Sequence, residues 1–532
     1  MPVLAAKAKG MKTLRAFAWW LWFGCLATAL LAARPEGLAD FDAFVARVRQ
    51  EFNVPGIAVA VVKDGEVVLE QGYGLRKLGE TGAVDAHTRF AIASNTKAFT
   101  AALLALLVDE GKLKWGDRVV DHLPWFQMAD PYVTREMTVR DLLVHRSGLA
   151  LGAGDLLFWP ATTFTSEEVV QRLRYVPLET SFRSAYAYDN ILYGVAGLII
   201  EKIAGKRWGE VVRERIFAPL EMTETSAAPI VPTTTNNAAT GHALYDFKDL
   251  RPVEQLAWDN NPAAGAIHSS VHDMAKWMRV QLASGAMGSG GRLFKAERQN
   301  EMWSVVTPMP INVSSMPALA AIKPNFLGYG LGWVLTDFRG RKLVTHNGGW
   351  PGMVSRLTLV PELKLGVMVM TNQEVGAAFN AITWRVLDSY TGAAPTDWVA
   401  VYSEVVKKSQ SNADEGWAKH VAARDPAAKM SLPAQAYAGT YRDAWYGDIA
   451  LVEEAGKLML RFSRTEQLVG DVEHWQHQTF IVRWKDRSLN ADAWLTFALT
   501  PDGQVERAKL AAISPLTDFS FDFHHLDLKR VR

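Results

Sequence analysis

Apolar side chains recur with two different periods along this chain. Up to about residue 423 they repeat mostly at three- and four-residue intervals, and beyond about residue 437 short alternating runs take over. Asp40 to Phe52 places Phe41, Phe44, Val45 and Val48 on one helical face. Ile57–Val62 and Val67–Gln71 are β-rich runs around Lys63-Asp64-Gly65-Glu66, where Asp-Gly supplies the positive φ values of a hairpin turn. Ala98–Val108 is apolar on nearly every face, which predicts a buried helix closed by Gly111; Ile191–Ile203, ended by Gly205, predicts another. Leu343–His346, Ser355–Val360 and Leu365–Thr371 predict successive strands, with Gly348-Gly349 and Pro351-Gly352 in the first turn and Pro361-Glu362 in the second. Residues 397–423 read as an amphipathic helix and the Ala/Pro-rich 424–433 stretch as a boundary. The runs Lys457–Phe462, Thr479–Trp484 and Trp494–Leu499, separated by Gly, Asp and Asn, predict a separate all-β module of about 100 residues, a small barrel.

The first 33 residues change this picture at one end. They carry Lys7, Lys9, Lys12 and Arg15 and no acidic residue, followed by an unbroken apolar run from Ala16 to Ala33. Such a basic-then-apolar segment reads as an export signal cut after Ala33 or Ala39, or else as an uncleaved anchor at the short end of a spanning helix. The chain is therefore expected in the periplasm or outside the cell, touching a membrane only through that segment. Its single cysteine, Cys25, lies within it, which excludes a disulfide scaffold and any site built on several thiolates. With 57 basic and 56 acidic residues, the chain lacks the charge excess of a nucleic-acid binder.

Three short stretches carry candidate chemistry. Ser94-Asn95-Thr96-Lys97 opens the apolar Ala98–Val108 helix, and three-residue spacing puts Ser94 and Lys97 on one face. A serine hydroxyl needs a base to take its proton, and burial of a lysine at a helix start lowers its pKa enough to supply one. Helix-start N–H groups also suit an oxyanion. Alone, the stretch equally fits a capping serine with Lys97 in an exposed first turn. Tyr188-Asp189-Asn190 precedes the second apolar helix, and a phenol beside an ammonium is expected to have a lowered pKa and to shuttle a proton; a packed ring and a capping Asn190 fit as well. His346-Asn347-Gly348-Gly349 follows a strand, and its glycines allow close approach of a substrate and free an N–H for an oxyanion.

Together and in this order, the stretches resemble the serine β-lactamase and penicillin-binding-protein superfamily, especially class C β-lactamases and related D-peptidases and esterases. Thr138–Leu149, Ile216–Met222, Asn261–Gly265 and Gly328–Trp333 look like the same family, so the likeness runs from about Phe41 to Tyr390. It implies an α+β fold: an antiparallel sheet packed by helices, a mostly helical second lobe, and a site between them. Ser94 becomes the acylated nucleophile, Lys97 its proton partner, and Tyr188 the general base and acid. Asn190 orients substrate or Lys97, His346 takes the first position of the third motif, and Gly348 and Gly349 line the oxyanion side, with the N–H groups of Ser94 and Gly349 as donors. No metal or organic cofactor is implied, and the partner is a small-molecule or peptide substrate. Tyr437–Tyr441 and Gly447-Asp448 resemble β domains appended to some of these hydrolases, which predicts a module that roofs or narrows the cleft. The reading divides the chain into 1–39 (signal or anchor), 40–395 (hydrolase), 396–432 (helical linker) and 433–532 (β domain).

One departure sharpens the substrate. Typical β-lactamases carry Lys where this chain has His346, so the cation that binds a β-lactam or terminal carboxylate is replaced by a mostly neutral imidazole, unless a nearby arginine such as Arg356 restores the charge. The order of expected substrates is then amides and peptides with D-residues, small esters, and β-lactams. A non-catalytic binding protein on the same fold is the alternative of another class. His474 and His477 form a histidine pair that reads better as ordinary polar positions than as metal ligands.

Overall fold

The computed structural model of the chain describes residues 36–312, 316–394 and 396–531. The expected signal segment, with Cys25, lies outside them. Among the described residues no helix is long and apolar enough to cross a membrane.

Helix α1 (Phe41–Glu51) leads into the hairpin of β1 (Gly56–Lys63) and β2 (Glu66–Gly74). Its turn residues Asp64 and Gly65 have φ of 53° and 85°, as Asp-Gly predicts. Helices α2 (Thr96–Asp109), α3 (Ile191–Ala204) and α4 (Val271–Leu282) follow, then β3 (Thr307–Pro308), β4 (Leu327–Tyr329), β5 (Val334–Phe338), β6 (Arg341–Trp350), β7 (Met353–Val360) and β8 (Leu365–Thr371). The strands form one sheet in the order β2-β1-β8-β7-β6-β5-β4-β3, antiparallel at every pair.

Both faces of this sheet are covered, which is why its central strands read as unbroken apolar runs. Ile57, Val59, Val61, Val367 and Val369 face a cluster with α1, α5 (Gly376–Thr391) and the start of α6 (Trp398–Ala423). Ala58, Ala60, Met368 and Met370 face the opposite cluster, which includes α2, α3 and α4. Twelve of the 14 residues of α2 are buried, so it is a core helix on all sides. The stretch read as a linker begins inside that core: Trp398 is fully buried and its Nε1 donates to Asp388 Oδ2 at 2.7 Å. Trp417, farther along α6, packs against Trp475 and Trp494 of the C-terminal module.

That module is a closed barrel of eight strands from Gly439 to Arg530, sealed where Gly439–Asp443 pairs with both Gly447–Glu454 and Leu528–Arg530. Rings of Tyr437, Phe480 and Phe497 meet in its interior at centroid distances of 4.9 to 5.4 Å.

One expectation is corrected. Gly348 and Gly349 stand inside β6, and only Pro351-Gly352 makes the turn. A Cβ on Gly348 would meet the Ile92 carbonyl oxygen at 2.1 Å, so the glycine serves the approach of the strand to another segment, not a reversal of the chain.

Candidate active site

The segment that Gly348 approaches carries Ser94. The short 3-10 turn Ala93–Asn95 feeds directly into α2, and Ala93 is held at φ 46°, a left-handed conformation that costs a non-glycine residue free energy. The surroundings hold it there. Ser355 Oγ donates to Ile92 O at 2.9 Å and accepts from Asn95 Nδ2 at 2.9 Å, so β7 grips the turn on both sides of Ser94. Neither Ser94 nor Asn95 caps the helix through its side chain, and Lys97 is fully buried, not exposed in a first turn.

Lys97 Nζ makes three contacts: Ser94 Oγ at 3.0 Å, Asn190 Oδ1 at 2.7 Å and Ala264 O at 3.0 Å. An amide oxygen and a backbone carbonyl accept only. A neutral amine therefore fits: its two N–H groups go to Asn190 and Ala264, and its lone pair is left facing the Ser94 hydroxyl. Burial brings the lysine down from 10.5 to about 7, against the opposing pull of the Asp155 and Asp189 charges.

The motifs around Lys97 now have physical roles. Asn261–Gly265 brings Ala264 O to the amine and packs its short helix on α2 and α3, with Thr100 Oγ1 bonded to Ala263 O at 2.7 Å. Thr138–Leu149 braces the tyrosine stretch: Ser147 Oγ donates to Asp189 Oδ2 and Asp189 N–H donates to His145 Nδ1. Asn190 precedes α3 without capping it, because its amide is committed to Lys97 and, through Nδ2, to Asp155 Oδ2 at 2.8 Å.

Tyr188 lies over the amine, its ring centroid 4.9 Å from Lys97 Nζ and its phenol in a hydrogen bond with Ser94. Its pKa moves opposite to expectation. Burial pushes the phenol well above 10, the bond to Ser94 opposes this only weakly, and neighbouring Tyr186 and Tyr193 add to the rise. The lysine, being near neutral itself, supplies no strong positive field. Tyr188 thus holds its proton, and Lys97 is the group prepared to accept one.

His346 is brought to the same cleft, with its ring centroid 6.3 Å from that of Tyr188, but it does not present a free donor. Its Nδ1 contacts Asn347 O at 2.6 Å and must carry the proton; its Nε2 then accepts from Tyr329 O–H at 2.8 Å. Burial, helped by the Lys97 charge, lowers its pKa to about 3. A neutral, doubly bonded imidazole replaces the expected hydrogen-bond donor. Arg356 does not restore a charge: it pairs with Asn347, one residue out of phase with His346, and its guanidinium turns to the opposite face of the sheet, to Thr358, Asn380 and the Trp384 ring.

Gly349 has open space where a Cβ would stand and borders a cavity of about 550 Å³. Trp159 and Trp350 line its hydrolase side, and Leu516, Asp518 and Phe521 of the barrel module line the other. Phe519 meets the Tyr188 ring edge-on at 5.9 Å. Two residues of this region escaped the sequence reading. Asp155, fully buried, is the only charged residue between Arg146 and Glu167, and that isolation in an apolar stretch was an available signal. Ser520, bonded to it at 2.8 Å, had none.

Among the described residues one histidine–carboxylate cluster has the spacing to hold a cation: Glu70, His87 and His272, with ligand atoms within 4.8 Å of one another. It shares no residue with the serine cluster. His474 Nε2 bonds the His477 carbonyl across a hairpin end at 3.0 Å, a strand-closing contact.

Comparison with known proteins agrees with this geometry. The sequence matches the beta-lactamase family profile over residues 41–391 and a domain of unknown function, DUF3471, over 423–530. It is 29% identical over 455 residues to the unguisins hydrolase ungD of Aspergillus violaceofuscus, covering 80% of this chain and 78% of that one. In fold it is similar to the octameric penicillin-binding protein homologue from Pyrococcus abyssi, with TM-score 0.57 and 20% identity over 92% of this chain and 99% of the other. It is also similar in fold to the D-amino acid amidase from Ochrobactrum anthropi SV3, with TM-score 0.53 and 24% identity over 66% of this chain and 98% of the other.

Proposed function

The chain belongs to the beta-lactamase family of serine hydrolases, and from that premise we propose that it cleaves amide bonds in small peptides containing D-residues through an acyl-Ser94 intermediate. The observation that carries the reading is the contact set of Lys97 Nζ, two pure acceptors and one hydroxyl, which suits a neutral amine poised to take the Ser94 proton.

Ser94 Oγ attacks the carbonyl carbon as its proton passes to Lys97 Nζ. Backbone N–H groups of Ser94 and Gly349 take the oxyanion. When the tetrahedral species collapses, the carbon–nitrogen bond breaks. The departing amine receives a proton from the Tyr188 phenol, which is replenished from Lys97 through Ser94. Water then adds to the acyl carbon, gives its proton to the same amine, and Ser94 leaves with a proton restored.

The neutral state of His346 favours substrates whose acyl side carries no carboxylate, and this places amides and esters ahead of β-lactams. The preference for D-residues is supported by the neighbouring D-amino acid amidase fold, and amide cleavage by a relative named for hydrolysing unguisins. Small esters are the second reading, since the open cavity beside Gly349 admits either leaving group. The basic-then-apolar first 33 residues support an exported enzyme.

Intact-mass spectrometry after treatment with a fluorophosphonate, a penicillin and a D-alanyl amide tests the reading. One adduct on Ser94 with the fluorophosphonate and turnover of the amide are expected; an adduct that persists in Ser94→Ala rejects it.

A further inference from the structure

The Asn190 side chain must present oxygen, not nitrogen, to Lys97. Turned by 180°, its NH₂ would oppose the N–H groups of the amine and rotate the lone pair away from Ser94. What fixes the amide is its other end, where Nδ2 donates to Asp155 Oδ2 at 2.8 Å.

Asp155 sits on the 3-10 turn Asp155–Leu157, completely buried. The same Oδ2 accepts a second bond of 2.8 Å from Ser520 Oγ, 365 residues later in the chain, while Oδ1 has no partner. Asn190 and Ser520 therefore set the orientation of the carboxyl between them. The segment bearing Ser520 also grips the backbone of the turn, since Asp522 accepts from Gly154 N–H at 2.8 Å and from Leu156 N–H at 3.1 Å. This segment runs between the barrel strands Val505–Ala512 and Leu528–Arg530. Ser520 is 7% exposed and Asp522 is fully buried, so water does not compete for these bonds.

We propose that Ser520 is a positioning residue which, through Asp155 and Asn190, holds the Lys97 amine against Ser94, so that the barrel module is a working part of the active site. The inference rests on the roles given above to Ser94 and Lys97.

The test uses the full chain and two probes, fluorophosphonate labelling of Ser94 and hydrolysis of p-nitrophenyl acetate. Misplacing a reacting group by ~1 Å costs on the order of 100-fold, so loosening the amine by one lost hydrogen bond should slow labelling of Ser520→Ala about tenfold. The loss should fall on kcat, with KM within about twofold, because the substituted atom does not touch the substrate. Ser520→Thr, which keeps the hydroxyl, should restore the rate. Ser520→Ala added to Asp155→Ala should slow labelling no further than Asp155→Ala alone, because both cut one line of bonds. Labelling of Ser520→Ala at the unmodified rate, a Thr variant as slow as the Ala variant, or effects that multiply in the double variant would each overturn the proposal. If the unmodified enzyme itself fails to label at Ser94, the reading of the serine and lysine has failed, and the positioning role with it.

Discussion

The interior of the barrel and the floor of the cleft are equally dry, and they are filled with opposite materials. The barrel buries rings, with Tyr437, Tyr441, Phe480 and Phe497 all at or below 5% exposure and the Tyr441 hydroxyl bonded to Tyr437 O at 2.6 Å. The cleft buries ionisable groups, with Lys97, His145, Asp155 and Asp189 fully covered and His346 nearly so. Several polar atoms there, among them His145 Nε2, Asp155 Oδ1 and Asp189 Oδ1, have no hydrogen-bond partner. Removing a ring from water stabilises the fold; removing a charge from water costs stability and shifts a pKa. The same exclusion of solvent therefore holds one region together and makes the other reactive.

Substitutions can drive that contrast to its limit. Lys97→Met should lower turnover by 10²- to 10⁴-fold, the range for loss of a positioned base, while the thermal midpoint stays level or rises, because a buried charge gives way to an apolar side chain of similar volume. Phe480→Ala in the barrel should do the reverse: a loss of about 3–5 kcal/mol in a denaturant titration, with turnover per folded molecule retained.

The pH dependence separates the regions further. With Lys97 at about 7, kcat/KM should climb as pH rises through that value, and His346, held at about 3, titrates too low to move this limb. For stability the sign follows from the lowered lysine: the unfolded chain keeps the proton up to about 10.5 while the folded chain gives it up near 7. The handicap of burying Lys97 is full below 7 and fades as pH approaches 10.5. Urea midpoints should show the deficit of the unmodified chain against Lys97→Met narrowing over that interval; a constant gap would mean the lysine is not the buried cation argued for. The smallest effect belongs to Tyr329→Phe. It strips His346 Nε2 of its donor and should cost about 1–3 kcal/mol, with turnover changed only a few-fold.

What the sequence made legible follows the range of the forces involved. Helices α2 and α3 and the β1–β2 hairpin are written in local spacing and in single glycines, and they form where the pattern puts them. Ser94, Lys97, Tyr188 and Asn190 were readable as three short motifs that meet. The glycine pair in β6 was misread because close approach and chain reversal ask for the same residue, and only the position of Ile92 O distinguishes them. Arg356 was within reach of a correct reading, since strand alternation already places it on the face opposite His346. The rise in the Tyr188 pKa was not, because it depends on how much solvent the packed tyrosines exclude. Nor was Ser520, whose partner lies hundreds of residues earlier.

The position of Asp518 to His525 near the end of the chain bears on when the molecule becomes an enzyme. Synthesis proceeds from the N-terminus, and domains fold in that order. A nascent chain can assemble the turn of Ser94 and the helix of Lys97 while the last barrel strand, Leu528–Arg530, is still inside the ribosome. The hydroxyl and carboxylate that tighten the catalytic amine arrive only with that final stretch. A premature stop anywhere after Ala512 yields a polypeptide with its nucleophile in place and its trigger slack, so translation itself acts as the safety catch on a hydrolase made among substrates it should not cut.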